Sequence, residues 1–335
     1  MNFALDAQIA SQPEAIARVL AQVEVPTLDA GRPLIFAGIG TSLHACRVAA
    51  HWLYTLSGGR ILALALSAHD LALTAPLTRE HQVVVVSHRG TKRFPGEALR
   101  RARELGAYTV AITSIDAPEP EADVILRTCP GELSSTHTVS YTTALAVLAK
   151  LVGTMSGEHG QQFLTGLQNI PAAIEATLAE PAPVAIAEQL AGREPILLAG
   201  MGIDAITAAE AALKIKEGTY QWAEGIETEN ALHGPPAALR AGMGAVLITS
   251  SLDDAGRTRE LRTALKSLDV ATFTCGTGFQ DDLRFASVDT LLRPFVAIVP
   301  LQRLTAEIAR IRHTNPDAIH TDQEPWTTIM ASYSL

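Results

Sequence analysis

Pro33-Leu-Ile-Phe-Ala-Gly-Ile-Gly40 returns 162 positions later as Pro195-Ile-Leu-Leu-Ala-Gly-Met-Gly202. In both places a short apolar run ends at a glycine turn, and a stretch typical of a helix follows. The same offset carries Val83-Val-Val-Val-Ser87 onto Ala245-Val-Leu-Ile-Thr249. A fixed-offset repeat of strand, turn and helix predicts two copies of one α/β unit. Polar residues that occur in only one copy are therefore the first candidates for chemistry.

Strands and helices alternate along both copies with short turns between them. This alternation predicts an α/β fold in which each copy is a parallel sheet flanked by helices on both faces, a flavodoxin-like or Rossmann-like three-layer sandwich. The predicted segments are an N-terminal helix (1–30), a first domain (31–156), connecting helices (157–194), a second domain (195–312) and a tail (313–335).

Composition excludes several classes of function. The chain has 335 residues, of which 47% are hydrophobic and 18% charged, with a formal net charge of −9. No long basic block offsets this charge, so we expect no nucleic-acid partner. The chain lacks the start of a signal peptide and an apolar run of 18 residues, so we expect no membrane and a cytoplasmic location. The three cysteines lack metal-type spacing.

The first glycine turn continues as Gly38-Ile-Gly40-Thr41-Ser42 and opens a helix. Backbone N–H groups and hydroxyls at a helix N-terminus bind anions, so a phosphate is the natural ligand. A dinucleotide fingerprint would need a third glycine where the chain has Leu43. A purely structural turn stays an open alternative for this motif alone.

The loop Ser87-His88-Arg89-Gly90-Thr91-Lys92 follows four consecutive valines. It therefore lies at the C-terminal end of a central strand, where open α/β sheets bind their ligands. Hydroxyls, an imidazole and two cations in six residues favour an anion site over a solvated basic loop.

One helix of the second copy carries three charges on one face. Glu210, Lys214 and Glu217 fall at positions i, i+4 and i+7 of an otherwise apolar helix. The alternative is a solvated stripe of salt bridges. His233-Gly-Pro235 adds an imidazole at a turn just before the next apolar strand.

Taken together, Gly-x-Gly-Thr-Ser after the first strand, the Ser87–Lys92 loop, and Glu210–Glu217 with His233-Gly-Pro235 resemble the double-SIS (sugar isomerase) family. The resemblance spans roughly residues 30 to 317. It is strongest to the isomerase domain of glucosamine-6-phosphate synthase and to stand-alone sugar-phosphate isomerases, deaminases and deglycases.

The resemblance implies two tandem SIS units and a proton transfer between C1 and C2 of an open-chain hexose 6-phosphate. Glu217 suits the base, with Lys214 beside it, and His233 suits the group that opens the sugar ring. The implied phosphate and sugar ligands are Thr41, Ser42, Ser87, His88, Arg89, Thr91, Lys92, Ser135 and His137. The resemblance also implies a homodimer with a shared active site and a tail that closes over it. No cofactor and no metal are expected.

The chain departs from the synthase in three ways. The synthase has a hydroxyl-rich phosphate loop, whereas this loop carries His88, Arg89 and Lys92. No lysine follows Lys266, so the C-terminal lysine that forms a Schiff base in the synthase has no counterpart. Met1-Asn2 begins no glutaminase domain, so glutamine-fed amination is not expected of this chain alone.

The sequence therefore predicts an enzyme, a phosphosugar isomerase or deaminase acting on an amino- or keto-hexose 6-phosphate. Two alternatives stay open: a fructosamine-6-phosphate deglycase, and a non-catalytic sugar-phosphate sensor. In the tail, His313, Asp317 and His320 could suggest a metal site, but Pro316 breaks their helical spacing and we expect none.

Overall fold

A computed structural model describes residues 2–333 of the chain. Its Cα packing divides these residues into two compact units, each built on its own sheet. The first-sheet unit comprises residues 12–132, 139–171 and 325–333. The second-sheet unit comprises residues 2–11, 133–138 and 172–324. The hydroxyl-rich segment 133–138 thus packs with the second sheet, although it lies inside the range predicted for the first domain.

The first sheet has five parallel strands in the order β2-β1-β3-β4-β5. They are β1 (Leu34–Gly38), β2 (Ala63–Ser67), β3 (Gln82–Val86), β4 (Tyr108–Thr113) and β5 (Val124–Arg127). Every residue of β1 and of β3 is buried. Strands covered on both faces need apolar side chains throughout, which explains the unbroken valine run before Ser87.

Helices cover both faces of the first sheet. The helices from the N-terminus to residue 178 are α1 (Ala4–Gln22), α2 (Thr41–Leu56), α3 (Ala68–Leu73), α4 (Arg93–Glu104), α5 (Val139–Met155), α6 (Gly157–Leu167) and α7 (Ile170–Leu178). Helix α2 packs on α5, and α3 packs on α4. Helix α4 turns Ala98, Leu99 and Ala102 to the core, whereas α5 is buried along most of its length.

The second sheet repeats this arrangement in the order β10-β9-β8-β6-β7, again all parallel. Its strands are β6 (Ile196–Gly200), β7 (Ala223–Glu227), β8 (Gly244–Ile248), β9 (Ala271–Gly276) and β10 (Leu283–Arg284). The remaining helices are α8 (Val184–Leu190), α9 (Ile203–Thr219), α10 (Asn230–His233), α11 (Arg257–Ser267), α12 (Arg293–Arg312) and α13 (Trp326–Ala331). Read from β7 inward, the strand order matches the first sheet read from β2.

The predicted fold class is confirmed: both sheets are parallel and flanked by helices. The N-terminal helix, predicted within residues 1–30, is found at Ala4–Gln22. The predicted tail contains the short helix α13. Among residues 2–333, no helix has both the length and the apolar character needed to cross a membrane.

Candidate active site

The first glycine turn lies where the strand order of the first sheet reverses. Strand β1 pairs with β2 on one side and with β3 on the other, so the chain leaves β1 at a topological switch point. A Cβ on Gly38 would lie 2.7 Å from the backbone carbon of Ser42, and Gly40 has φ 57°. Only glycine fits such a turn. It starts α2 directly at Thr41, with the hydroxyls of Thr41 and Ser42 in its first turn.

The Ser87–Lys92 loop begins at the end of the neighbouring strand β3. The Ser87 N–H donates to the Ile112 carbonyl at 2.9 Å, and the Gly90 N–H closes a turn on the Ser87 carbonyl at 3.1 Å. Lys92 is the N-cap of α4. Two helix N-termini and several hydroxyls thus meet adjacent strand ends, an arrangement that favours an anionic ligand.

The charged residues of this loop differ in environment. Arg89 is exposed and Lys92 is partly exposed. His88 is buried, and its Nε2 accepts the Glu132 N–H at 3.3 Å. Burial, with help from Arg89, lowers the pKa of His88 to about 4. Its ring is therefore neutral at pH 7. Ligand contact by His88 stays a prediction, and only Arg89 and Lys92 bring charge to the loop.

The three predicted charges of α9 form a compact trio. Lys214 Nζ lies 2.6 Å from Glu217 Oε2 and 3.5 Å from Glu210 Oε1. The side chains of Glu210 and Lys214 are 0% and 1% exposed, whereas that of Glu217 is 24% exposed. A solvated stripe is therefore excluded. Buried charges persist only when they are paired, so the trio presents one fixed carboxylate, Glu217, at the edge of the core.

The segment with Ser135 and His137 is anchored within the same unit as Glu217. Burial alternates along it: Ser134, Thr136 and Thr138 are buried, and Ser135 and His137 are partly exposed. The hydroxyls of Ser134 and Thr136 both donate to the Pro316 carbonyl, at 3.1 and 2.8 Å.

This anchoring brings the segment to the end of α9. A Cβ on Gly218, the residue after Glu217, would lie 3.6 Å from Thr136 Oγ1 and 2.7 Å from Thr305 Cγ2. The structure therefore brings the predicted sugar-binding segment close to the predicted base, which the sequence separation of 80 residues did not indicate.

His233 ends the short helix α10 and is followed by Gly234. Its side chain is 70% exposed, and its Nε2 lies 2.7 Å from Glu229 Oε1. Arg257, from α11, binds both oxygens of the Glu229 carboxylate. A mostly exposed imidazole is thus held in one orientation by groups that the sequence analysis did not single out.

A second missed pair lies at the glycine turn of the second sheet. Asp204, in the first turn of α9, is buried and pairs with buried Arg293 of α12 at 2.9 Å. Arg293 Nη2 also donates to the Thr249 carbonyl at 2.6 Å. Asp204 occupies the position that Ser42 has in the first copy. Aligning the copies residue by residue would have shown this difference.

Asp317 and His320 of the tail make structural contacts. The Asp317 carboxylate accepts the Ala4 and Leu5 N–H groups at 2.8 and 3.1 Å, and so caps α1. The His320 ring stacks on Tyr220 with centroids 3.4 Å apart. Within the described part of the chain, no three His, Cys, Asp or Glu side chains are grouped as metal ligands would be.

Comparison with known proteins identifies a domain in the first half of the chain. The family model described as "SIS domain" matches residues 29–152. These residues are an SIS domain. The chain is also 30% identical over 308 residues to a glutamine–fructose-6-phosphate aminotransferase (isomerizing) of Symbiobacterium thermophilum. That match covers 85% of this chain and 50% of the relative, so the chain spans about half the length of the curated relatives it matches. The resemblance predicted from the SIS motifs is confirmed.

Solved structures share the fold over nearly the whole chain. The C-terminal domain of glucosamine-fructose-6-phosphate aminotransferase from Francisella tularensis superposes with a TM-score of 0.83 at 20% identity, covering 95% of this chain and 98% of that one. A glucosamine-6-phosphate deaminase from Thermotoga maritima gives 0.74 at 18% identity, covering 94% and 97%. At these identities the likeness establishes the fold alone.

Proposed function

We propose that this SIS protein is a phosphosugar isomerase or deaminase that acts on an amino- or keto-hexose 6-phosphate. The observation that carries the proposal is the Glu210–Lys214–Glu217 trio, which fixes one partly exposed carboxylate against a buried ammonium. The name of the matched curated relative, an isomerizing glutamine–fructose-6-phosphate aminotransferase, supports the same substrate class. We expect the cytoplasm as its compartment and no nucleic-acid partner.

In this proposal Glu217 moves a proton between C1 and C2 through an enediol or enolamine. A base for this step must be fixed beside the two carbons and reachable from solvent-filled space. Glu217 is held by Lys214 at 2.6 Å and is 24% exposed, so it meets both needs. Lys214 is too buried to contact a substrate, and its role is to hold the Glu217 carboxylate in place. Ser135 and His137, partly exposed on the neighbouring segment, suit the sugar hydroxyls.

For the first-sheet unit by itself we propose a phosphate site. Its candidate ligands are the hydroxyls of Thr41, Ser42, Ser87 and Thr91 at two helix N-termini, together with the cations Arg89 and Lys92. Charge-assisted hydrogen bonds from the two cations would bind a phosphate dianion strongly.

The base assignment is tested by Glu217→Gln. The change keeps the side-chain volume and removes the proton acceptor, so we expect turnover to fall by about 10²–10⁴-fold. Solvent deuterium incorporation at C1 and C2, followed by NMR, measures the step. Glucosamine 6-phosphate, fructose 6-phosphate with ammonia, and fructosamine 6-phosphates together separate isomerase, deaminase and deglycase activities.

The matched control is Glu224→Gln, which removes an exposed carboxylate from β7 of the same unit. It should leave exchange unchanged. Undiminished exchange in Glu217→Gln would contradict the base assignment. Binding of these sugar phosphates without any exchange in the wild-type chain would favour the sensor instead.

We further propose a homodimer in which His233 of one copy completes the site of its partner. The support is that His233 is a rigidly held imidazole yet 70% exposed in the single chain. Mixing inactive Glu217→Gln and His233→Ala chains after dissociation should restore about a quarter of wild-type activity, because heterodimers of a twofold dimer contain one intact pair. Zero recovery despite confirmed subunit exchange would mean that each chain builds its own site.

A further inference from the structure

The His233 ring is fixed by a charged cluster that consists of Glu229, the N-cap residue of α10, and Arg257 of α11. Glu229 Oε1 lies 2.7 Å from His233 Nε2, one helical turn away. Arg257 clamps the same carboxylate with two bonds, Nε to Oε2 at 2.5 Å and Nη2 to Oε1 at 2.7 Å. The carboxylate is therefore fixed by one helix while it binds the imidazole on the other.

The chemistry of this contact decides which ring nitrogen carries the proton. Hydrogen bonds from Arg257 and His233 lower the pKa of Glu229 to about 2, so the carboxylate is ionised at any working pH. An ionised carboxylate can only accept hydrogen bonds. His233 Nε2 must therefore carry the hydrogen that it donates to Glu229, and Nδ1 is the ring nitrogen with a free lone pair in this tautomer.

We propose that Glu229 and Arg257 are positioning residues that set His233 with Nδ1 as the proton-shuttling atom for opening the sugar ring. This role rests on the proposed function. In the step, Nδ1 takes the proton of the anomeric hydroxyl and returns it to the ring oxygen. The bond between the anomeric carbon and the ring oxygen breaks, a carbonyl forms, and no proton is gained or lost overall.

The charged groups near His233 supply a matched control. Glu229 is the N-cap residue of α10, and Arg257 and Glu260 lie on α11. Glu227 of β7 accepts the Asn230 N–H at 3.0 Å, and the 3-10 turn Pro235–Ala238 carries no charge. Glu260 binds Arg257 Nη1 at 2.5 Å. Glu260→Gln thus removes the same charge as Glu229→Gln, but from a carboxylate that binds Arg257.

The first measurement is the tautomer of His233 by long-range ¹H–¹⁵N NMR on histidine-labelled full-length protein. We expect the Nε2–H form in the wild type and in Glu260→Gln, and a mixture of tautomers in Glu229→Gln. A wild-type ring with its proton on Nδ1 would overturn the proposal. This measurement needs no substrate, so the comparison of the wild type with the two variants decides the positioning claim even if the proposed function fails.

The second measurement compares two substrates by deuterium exchange at C1. Fructose 6-phosphate must be ring-opened first, whereas 5-deoxyfructose 6-phosphate lacks the hydroxyl that closes the ring. We expect Glu229→Gln to lower kcat about tenfold or more with the first substrate and less than twofold with the second, with KM little changed. Glu260→Gln should change neither. Equal losses on both substrates would mean a structural role for Glu229, and no turnover of either substrate by the wild type would contradict the proposed function instead.

Discussion

The two glycine turns of this chain have nearly the same backbone conformation, but the side chains that follow them lie in different environments. Gly40 has φ 57° and ψ −128°, and Gly202 has φ 58° and ψ −122°. After the first turn, partly exposed Ser42 lies in the first turn of α2. After the second, Asp204 stands in that place, buried and paired with Arg293.

This difference shows that one residue after the glycine turn decides whether the start of the helix presents a hydroxyl or a buried ion pair. In the second copy, Arg293 reaches from α12 to the Thr249 carbonyl, at the position equivalent to Ser87. Arg293 therefore supplies a cation and Asp204 supplies an anion. The first copy has the hydroxyls of Ser42 and Ser87 at the equivalent place, which is called the corner below. Burial raises the pKa of Asp204, and Arg293 offsets this only in part. The pair links α9 to α12, and the Asp204 carboxylate leaves no place at this corner for an external anion.

Breaking the Asp204–Arg293 pair should give the largest effect. Asp204→Ala leaves a buried guanidinium without its partner, and we expect the free energy of unfolding to fall by about 3–5 kcal/mol. Ser42→Ala, the same truncation at the equivalent position of the first copy, should cost less than about 1 kcal/mol. Urea denaturation measures both. Equal losses would mean that the two corners do not differ in the way described.

His88 should make stability depend on pH, whereas its counterpart Ser250 cannot. The unfolded chain takes up a proton at His88 below a pH of about 6.5, and the folded chain does so only near pH 4. The free energy of unfolding should therefore fall as the pH falls through this window, by about 3 kcal/mol in total.

The variant that tests this dependence is His88→Gln, because glutamine can still accept the Glu132 N–H but does not titrate. Thermal or urea unfolding at several pH values between 7 and 4 should show a flatter profile for the variant than for the wild type. Superimposed profiles would mean that His88 is accessible to protons in the folded chain.

Truncating the two cations of the Ser87–Lys92 loop should give the smallest effects. Arg89→Ala and Lys92→Ala should each weaken binding of a hexose 6-phosphate by about 1–3 kcal/mol, if the ligand desolvates the contact. The second copy has Ser251 and Asp254 at the matching positions, so calorimetry should give one phosphate site per chain. Arg103→Ala, which removes the same charge from the far end of α4, is the control. Affinity unchanged in both loop variants would leave the loop as a solvated surface.

Much of the fold followed from pattern alone. The apolar runs before Gly38, Ser87, Gly200 and Thr249 mark four strands that are buried at every position. A strand that is covered on both faces has no solvent-exposed side. Its apolar residues therefore form a continuous run, which is recognisable in the sequence. The charged face of α9 and the position of His233 were also visible, because helical spacing and turn residues are local properties.

Burial of the polar residues could not be read in this way. A charged face at helical spacing fits a solvated stripe equally well, and the packing of α12 on α9 decides that Glu210 and Lys214 are inside. His88 was predicted to bind the phosphate, but in the structure it is buried and accepts the Glu132 N–H. Such contacts join residues distant in sequence, and no local pattern encodes them.

The sequence by itself determined two parallel α/β units, their glycine turns and the residue types at each corner, because periodicity and backbone conformation are short-range properties. Only the tertiary structure decided which of those residues are charged, paired or reachable. The environment of a titratable group depends on the elements packed around it: Glu217 is fixed by a buried lysine, the Glu229 carboxylate is clamped by α11, and Asp204 is sealed against Arg293.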